Sequence, residues 1–222
     1  MGRRLETILL LLLASGIALS VAAHVFAVFP FDLKVTHELQ EEVNPVFAAV
    51  MGAVSSLGNG WIPVLLVGAV TVLCVIRKYS IEAIFVVATL SSVLLAAVLK
   101  VLVGRPRPPT FPLNPADLFV SFNQYSYPSG HVLFFVVFFG FLAFLAWMHL
   151  SGWWRVLSMA VCGALIVLIA PSRIYLGAHW ASDVIGSYII GTFWLIILVL
   201  LYLMVLHRRD GVSGVYHKAG ET

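Results

Sequence analysis

The chain has 222 residues, of which 61% are hydrophobic and only 10% are charged. A soluble globular domain carries about 25% charged residues, so this composition excludes a chain that covers its surface with polar groups in water. The net charge of +3 comes from basic residues that form no stripe or patch, and we expect no nucleic-acid partner. The apolar residues fall in long runs. Because backbone in lipid must satisfy its own polar groups, the sequence predicts one all-α membrane domain over residues 1–222.

Six apolar runs predict six transmembrane helices, since about 18 or more apolar residues can span a bilayer. In chain order the runs are Leu5–Phe29, Trp61–Ile76, Ile81–Val103, Val132–Leu150, Trp154–Ala170 and Asp183–Leu206. The second and fifth are short for a span. The first follows Arg3 and Arg4 like a secretory signal peptide, but it is longer than a typical signal sequence, so we interpret it as a retained helix. Residues 207–222 form a short polar tail.

The first long loop, residues 31–57, separates the first two spans. It is acidic at its start and rich in small apolar residues towards its end. Pro45 interrupts it, which predicts two short interfacial helices. Two roles are open for this loop: a connector that rests on the membrane surface, or a lid or lateral gate over a site.

Short loops on the cytoplasmic side of a membrane are enriched in Lys and Arg, and this rule orients the chain. One side carries Arg3, Arg4, Arg77, Lys78, Arg155, Arg208, Arg209 and Lys218, and the other carries Lys34, Lys100, Arg105, Arg107 and Arg173. We therefore predict a multi-pass protein of the cell (inner) membrane with both termini cytoplasmic. The loops after the third and fifth spans then face the periplasm or the exterior.

Polar residues with catalytic potential are concentrated in those two outer loops, within residues 100–183. They form three groups: Lys100 with Arg107-Pro108, then Tyr127-Pro128-Ser129-Gly130-His131, then Ser172-Arg173 with His179 and Asp183. The topology, inferred from hydrophobicity and charge alone, places all three groups on one face of the membrane. This agreement predicts a single non-cytoplasmic active site.

The residue types in these groups suit a phosphoryl group, whose charge is spread over several oxygens. Arginine offers planar forks to such oxygens and lysine offers a compact charge, which makes Lys100, Arg107 and Arg173 candidate phosphate ligands. Ser129 and Gly130 precede a predicted helix, where backbone N–H groups favour an anion. Glycine also lets the backbone approach the anion closely.

The two histidines of these groups predict acid–base and nucleophilic chemistry. His179 is the candidate nucleophile and Asp183 its orienting carboxylate, since a spacing of four places both on one face of a helix, if helix exists there. His131 is placed to protonate a leaving group and then to accept a proton from water. The outer loops hold no acidic cluster with the spacing of hard-cation ligands, so we expect neither a metal nor another cofactor.

Together these three groups resemble the signature motifs of the type-2 phosphatidic acid phosphatase superfamily. The resemblance covers about residues 78–206 and departs at no signature position. It implies that Lys100, Arg107, Ser129, Gly130 and Arg173 bind phosphate, that His179 is the nucleophile, that His131 is the acid and that Asp183 is the partner of His179. It also implies a lipid phosphate or pyrophosphate substrate met among membrane lipids.

Undecaprenyl pyrophosphate is the substrate that the resemblance favours for a chain of this size, which would place the enzyme in cell-wall biogenesis. Phosphatidylglycerol phosphate, phosphatidic acid and the phosphates of lipid A remain open. A lipid phosphotransferase is the nearest rival, and a lipid transporter or scaffold is the alternative from another class. The sequence gives no indication of oligomeric state.

Several neighbours of the motifs are open to more than one interpretation. Arg105 lies off the motif position and is expected either to touch the substrate headgroup or to snorkel at the surface. The aromatic residues Tyr127, Tyr175 and Trp180 are interpreted as interfacial anchors.

Overall fold

The computed structural model describes residues 2–109 and 124–219, with side chains up to residue 209. Every regular element in those ranges is a helix, and one isolated bridge pairs Pro106 with Tyr125. The helices are α1 Gly2–Val25, α2 Pro30–Gln40, α3 Pro45–Ser56, α4 Ile62–Ile76, α5 Ser80–Ala88, α6 Ser91–Val103, α7 Gly130–His149, α8 Gly152–Tyr175 and α9 Ala181–Ala219.

Five stretches of helix in the described residues are long and apolar enough to cross a membrane. They are α1, the continuous pair α5–α6, α7, α8 and the Ala181–Arg209 part of α9. The all-α, membrane-type class predicted from composition is therefore confirmed. The predicted second span corresponds to α4, whose 15 residues make it shorter than the other five. Such a helix is about 22 Å long, against about 30 Å of hydrocarbon.

Although it is short, α4 connects the two ends of the central helix α7. Just before α4, the Asn59 side chain bonds His131 at the start of α7. Just after α4, the Tyr79 ring lies 4.8 Å from the ring of His149, the last residue of α7. The chain therefore travels the full length of α7 between Asn59 and Tyr79.

The core of the bundle is built around α7. Four of its phenylalanines have exposed fractions of at most 2%: Phe134, Phe135, Phe138 and Phe141. Small residues let α9 pack closely on this helix. A Cβ on Gly191 would lie 3.1 Å from Val136 Cβ, and one on Gly140 would lie 2.5 Å from Leu195 Cδ2. Close approach at small residues is the usual way for helices to associate in lipid, and it fixes α7 as a buried support for His131.

The helices α2 and α3, which occupy the long first loop, pack on the end of α8. Gln40 Nε2 donates to the carbonyl oxygens of Ile174 and Tyr175 at 3.4 and 3.3 Å. Ser172 Oγ donates to the Met51 carbonyl at 2.7 Å. The first loop is therefore attached to the end of the bundle that carries the motifs.

The end of α8 differs from the predicted boundary of the fifth span. That span was expected to stop at Ala170, but the helix continues through Pro171 to Tyr175. Ser172 and Arg173 consequently lie in the last helical turn and not in a loop. Their side chains are buried against α3, and this packing holds the turn together beyond the proline. Helix α9 likewise extends to Ala219, through most of the predicted polar tail.

Candidate active site

The predicted site residues gather at one end of the bundle. Each comes from the end of a helix or from an adjoining segment: Lys100 from the last turn of α6, Arg107 from the segment that follows it, Ser129, Gly130 and His131 from the start of α7, Arg173 from the last turn of α8, His179 from the α8–α9 connection and Asp183 from the first turn of α9. The charges of Lys100, Arg107 and Arg173 all act on His179. The structure thus places the three cations around one histidine.

Hydrogen bonds fix the direction of each of these three cationic side chains. Lys100 Nζ donates to the Tyr125 carbonyl at 3.0 Å, and an Arg107 Nη donates to the Ala178 carbonyl at 2.8 Å. Arg173 donates to the hydroxyl of Ser55 on α3. Lys100 and Arg173 are only 5% and 6% exposed. Buried positive charges that converge on one site create a local potential that favours an anion.

His179 is almost completely buried, with 1% of its surface exposed. Burial lowers its pKa well below the ordinary histidine value, and the nearby charges of Arg107, Arg173 and Lys100 lower the pKa further. The imidazole is therefore neutral near pH 7. A neutral ring keeps a lone pair on one nitrogen, as a nucleophile requires.

Asp183 lies next to His179, but the two do not form a hydrogen bond. Their closest atoms, Nδ1 and Oδ2, are 3.7 Å apart, which is longer than a hydrogen bond. Helix α9 begins only at Ala181, so His179 precedes the helix and the helical spacing assumed for the pair does not apply. Asp183 Oδ2 instead accepts from the Trp180 backbone N–H at 2.9 Å.

The other oxygen of Asp183 is bound by Arg105, which the sequence had indicated as a headgroup contact or a surface residue. Neither interpretation is correct, because Arg105 is 1% exposed and lies inside the bundle. One Nη donates to Asp183 Oδ1 at 2.5 Å, and the other donates to Asp32 Oδ2 at 2.8 Å. Its Nε donates to the Ala27 carbonyl at 3.0 Å, and the Phe29 ring lies 5.0 Å from the guanidinium carbon.

Asp32, in α2, is a residue whose connection to the site sequence reasoning missed. It has no exposed surface and also accepts from Ser182, from the backbone N–H at 2.8 Å and from the hydroxyl at 2.9 Å. The local signal was an acidic residue in the first turn of a helix beginning at Pro30, where it accepts from the Phe29 N–H. That signal indicates a helix start and says nothing of a partner 150 residues away. Asp32, Arg105, Ser182 and Asp183 are called the buried ion network below.

The start of α7 offers donors to an anion in a pattern that differs in part from the prediction. The Ser129 N–H donates to Ser187 Oγ at 2.7 Å, so it is not available to a ligand. The Ser129 hydroxyl is buried and has no hydrogen-bond partner among the described residues. A Cβ on Gly130 would meet only Ala96, at an ordinary 3.8 Å. Protein packing therefore does not require glycine at residue 130, although an incoming anion would.

His131 is contacted by Gly58 and Asn59, two residues in the turn after α3 that sequence reasoning did not single out. Its Nε2 lies 2.7 Å from Asn59 Oδ1. A Cβ on Gly58 would lie 2.3 Å from the ring carbon Cδ2. The turn between α3 and α4 thus reaches the histidine itself.

Two of the three aromatic residues predicted to anchor the protein at the membrane interface are buried. Tyr127 has no exposed surface, its hydroxyl accepts from Ser20 Oγ at 3.2 Å, and burial raises its pKa. Trp180 is 5% exposed and donates through Nε1 to the Pro106 carbonyl at 3.2 Å. Tyr127 thus ties its segment to α1, and Trp180 joins the segment before α9 to the segment after α6. Tyr175, the third, packs edge-on against Phe47 of α3.

Residues 81–206, more than half of the chain, match the PAP2 superfamily. The chain belongs to this superfamily. The match agrees with the resemblance found in the three motifs and contains all of the predicted site residues. Among the described residues, no group of three or more His, Cys, Asp or Glu side chains is arranged to hold a metal ion.

Two curated relatives resemble parts of the chain. An undecaprenyl-diphosphatase of Sulfolobus acidocaldarius is 32% identical over 139 residues, which cover 60% of this chain and 58% of the relative. Phosphatidylglycerophosphatase B of Bacillus subtilis is 33% identical over 100 residues, covering 44% of this chain and 46% of that protein. The matches therefore span about half the length of these relatives.

Two solved structures share the fold. A transmembrane PAP2-type phosphatidylglycerolphosphate phosphatase of Bacillus subtilis superposes with a TM-score of 0.73 at 23% identity, covering 87% of this chain and 94% of that one. LpxE of Aquifex aeolicus superposes with a TM-score of 0.57 at 21% identity, covering 77% and 96%. At these identities the likeness concerns the fold alone.

Proposed function

We propose that this PAP2 superfamily member is a membrane lipid phosphatase that works through a phosphohistidine intermediate on His179. The observation that carries the proposal is one buried, neutral histidine surrounded by three directed cations, Lys100, Arg107 and Arg173. Such an arrangement suits an anionic group that reacts with a nitrogen lone pair, because the cations neutralise the anion while the histidine remains unprotonated.

In the first half-reaction the three cations, with the Ser129 hydroxyl and the N–H groups at the start of α7, hold the phosphoryl oxygens. The free nitrogen of His179 attacks phosphorus, and the bond from phosphorus to the leaving oxygen breaks. His131, as the imidazolium, gives its Nε2 proton to that oxygen and becomes a neutral ring, so the product leaves as an alcohol or a protonated phosphate. Asp183 offsets the positive charge that develops on the His179 ring.

In the second half-reaction water attacks the phosphohistidine. His131, now without its proton, accepts one from the water, and inorganic phosphate leaves as the bond from phosphorus to His179 breaks. His131 and His179 return to their starting states. The cycle consumes one water molecule and requires no metal or other cofactor.

An isoprenoid pyrophosphate such as undecaprenyl pyrophosphate is the substrate we favour. The name of the Sulfolobus relative supports it, while the Bacillus relative supports phosphatidylglycerol phosphate as the second candidate. Phosphatidic acid and the phosphates of lipid A share the same reacting group. A phosphotransferase would use the same intermediate and differ only in the acceptor, which would be a lipid in place of water.

We further propose six crossings of the inner membrane, with both termini cytoplasmic and the site on the outer side. The course of α4 along the full length of α7 supports the sixth crossing. The distribution of cations supports the orientation. At the end away from the site, Arg3, Arg4, Arg77, Lys78, Arg208 and Arg209 are exposed, whereas at the site end the only exposed Lys or Arg in the described residues is Lys34. Reporter fusions at residues 78 and 151 should report cytoplasmic locations.

The deciding experiment is phosphate release by detergent-purified protein in excess EDTA. Undecaprenyl pyrophosphate, phosphatidylglycerol phosphate and phosphatidic acid are compared, with His179→Ala beside the wild type. Release that persists with the chelator and disappears in the variant supports a metal-free histidine phosphatase and ranks the substrates.

Labelled phosphate on a lipid would identify a phosphotransferase. Full activity of folded His179→Ala would overturn the mechanism. Lipid movement that survives loss of both His131 and His179 would support a transporter or scaffold.

A further inference from the structure

The turn after α3 places an amide against the proposed acid of the reaction. His131 Nε2 lies 2.7 Å from Asn59 Oδ1. An amide oxygen can only accept, so the ring nitrogen must be the donor and must carry the proton. The imidazolium that acts as an acid carries a proton on each ring nitrogen, and this contact orients the proton on Nε2. In the neutral ring left after proton transfer, the same contact favours the tautomer protonated on Nε2.

Backbone contacts hold Asn59 firmly against the ring. The Asn59 N–H donates to the Ser56 carbonyl at 3.0 Å, and its own carbonyl accepts from the Ile62 N–H at 3.0 Å. Gly58 allows the close approach, because any Cβ there would lie 2.3 Å from His131 Cδ2. Asn59 lies in the turn between α3 and α4, outside the segment that matches the superfamily.

The surroundings of His131 explain why an amide is useful there. Among the described residues, the charged neighbours that act on His131 are Lys100 from α6, Arg107 from the segment after it and Arg173 from α8, with His179 across the site. Lysine and arginine side chains have no acceptor to offer to a ring N–H. A neutral acceptor on Nε2 orients that proton without pairing it with a charge.

We propose that Asn59 is a positioning residue that keeps the acid proton on His131 Nε2 and fixes the plane of the ring before the substrate binds. The inference rests on the acid role proposed above for His131. Asn59 is exposed while the His131 ring is half-buried, so the pair lies at the mouth of the site, where a leaving-group oxygen can replace the amide as acceptor. Asn59 therefore orients the N–H of His131, and the leaving-group oxygen of the substrate then replaces the Asn59 amide as its acceptor.

The test compares kcat/KM for two substrates that differ in their need for an acid. Dioctanoyl phosphatidic acid releases an alkoxide, which must be protonated, whereas p-nitrophenyl phosphate releases a phenolate that leaves unaided. We expect Asn59→Leu to lower kcat/KM by about 10- to 100-fold for the alkyl substrate and less than about threefold for the aryl substrate, a fraction of the 10²–10⁴-fold typical of acid catalysis. The control variant is Ser56→Ala, because the Ser56 hydroxyl donates to the Ala53 carbonyl within α3. This variant should leave kcat/KM unchanged for both substrates.

Asn59→Asp provides a second readout that a purely structural role would not move. A carboxylate against Nε2–H should shift the alkaline limb of the kcat/KM profile for the alkyl substrate to higher pH. An equal loss on both substrates in Asn59→Leu, or an unchanged alkaline limb in Asn59→Asp, would overturn the inference. His131→Ala separates the two failures. If His131→Ala lowers kcat/KM equally for the alkyl and the aryl substrate, the acid role of His131 is wrong and so is the inference about Asn59. If His131→Ala lowers kcat/KM mainly for the alkyl substrate and Asn59→Leu does not, only the inference about Asn59 is wrong.

Discussion

Arg105 and Asp183 form a fully buried ion pair, with Nη and Oδ1 2.5 Å apart and no side-chain exposure on either residue. The guanidinium joins this carboxylate to Asp32, 2.8 Å from its other arm. The carboxylate next to His179 is therefore held by an arginine from one loop and, through it, by a helix near the amino terminus. In the proposed mechanism Arg105 acts through Asp183, whereas Arg107, two residues later, is one of the proposed phosphate ligands.

Removing the guanidinium should be among the most damaging changes in the chain. Arg105→Ala leaves Asp32 and Asp183 buried together without a cation, and loss of one partner from a buried pair costs about 3–5 kcal/mol. We expect a large fall in unfolding temperature and loss of turnover. Arg105→Lys should be intermediate, because an ammonium cannot replace both arms of the fork. Thermal unfolding in detergent measures the effect. Lys34→Ala, at an exposed lysine on α2, is the control and should change neither property.

Asp32→Asn separates charge from hydrogen bonding within the buried ion network. Asparagine keeps the size of the side chain but removes one negative charge, and its amide cannot accept at both positions. Because Asp183 still pairs with Arg105, we expect a smaller loss of stability than in Arg105→Ala, about 1–3 kcal/mol. Equal losses in the two variants would show that Asp32 dominates the network.

Ser55→Ala tests the support of Arg173, one of the proposed phosphate ligands. The hydroxyl is 2% exposed and accepts from an Arg173 Nη. Its removal leaves a charged donor without that acceptor, which typically costs about 1.5–3 kcal/mol. Because a less ordered arginine binds phosphate less well, KM should rise and kcat fall together. Steady-state kinetics beside Ser56→Ala, one residue further on, provide the measurement. Equal kinetics in both variants would contradict the role assigned to Ser55.

The lowered pKa of His179 makes stability depend on pH in a known direction. In the unfolded chain this histidine takes up a proton at about pH 6.5, whereas in the folded protein its pKa lies well below that value. The unfolded state therefore binds more protons as pH falls below about 6.5, and the folded state loses stability there. Glutamine does not titrate in this range, so His179→Gln removes this pH dependence. Between pH 7.5 and 5 the unfolding temperature should therefore fall further for the wild type than for the variant. Equal decreases would argue against a neutral His179.

The sequence allowed a prediction that the candidate site residues lie together, because the motifs combine particular chemical types in a particular order. The prediction needed only that the ends of consecutive spans alternate between the two faces of the membrane. The supporting contacts could not be predicted in the same way. Arg105 meets Asp32 across 73 residues, and Asn59 meets His131 across 72. No local sequence pattern indicates such pairs, because they depend on how α2, α3 and the turn before α4 pack on the end of the bundle.

Helix boundaries failed for a related reason. The fifth span was expected to end at Ala170, and the next residue, Pro171, removes one backbone hydrogen bond from a helix. Burial of Ser172 and Arg173 against α3 offsets that loss, and the helix continues by more than a turn. Tertiary packing thus decided where the candidate phosphate ligand Arg173 lies relative to its helix.

The buried ion network also has a consequence for how the protein is made. Asp32 lies near the start of the chain and Arg105 near its middle, while Ser182 and Asp183 begin the last helix. During synthesis the first two groups leave the ribosome long before the third, so the network closes only after α9 has entered the bilayer. Membrane insertion of the final helix is therefore coupled to completion of the active site. A chain truncated before α9 would carry Arg105 and Asp32 with half of their partners missing, and membrane quality-control proteases should remove it.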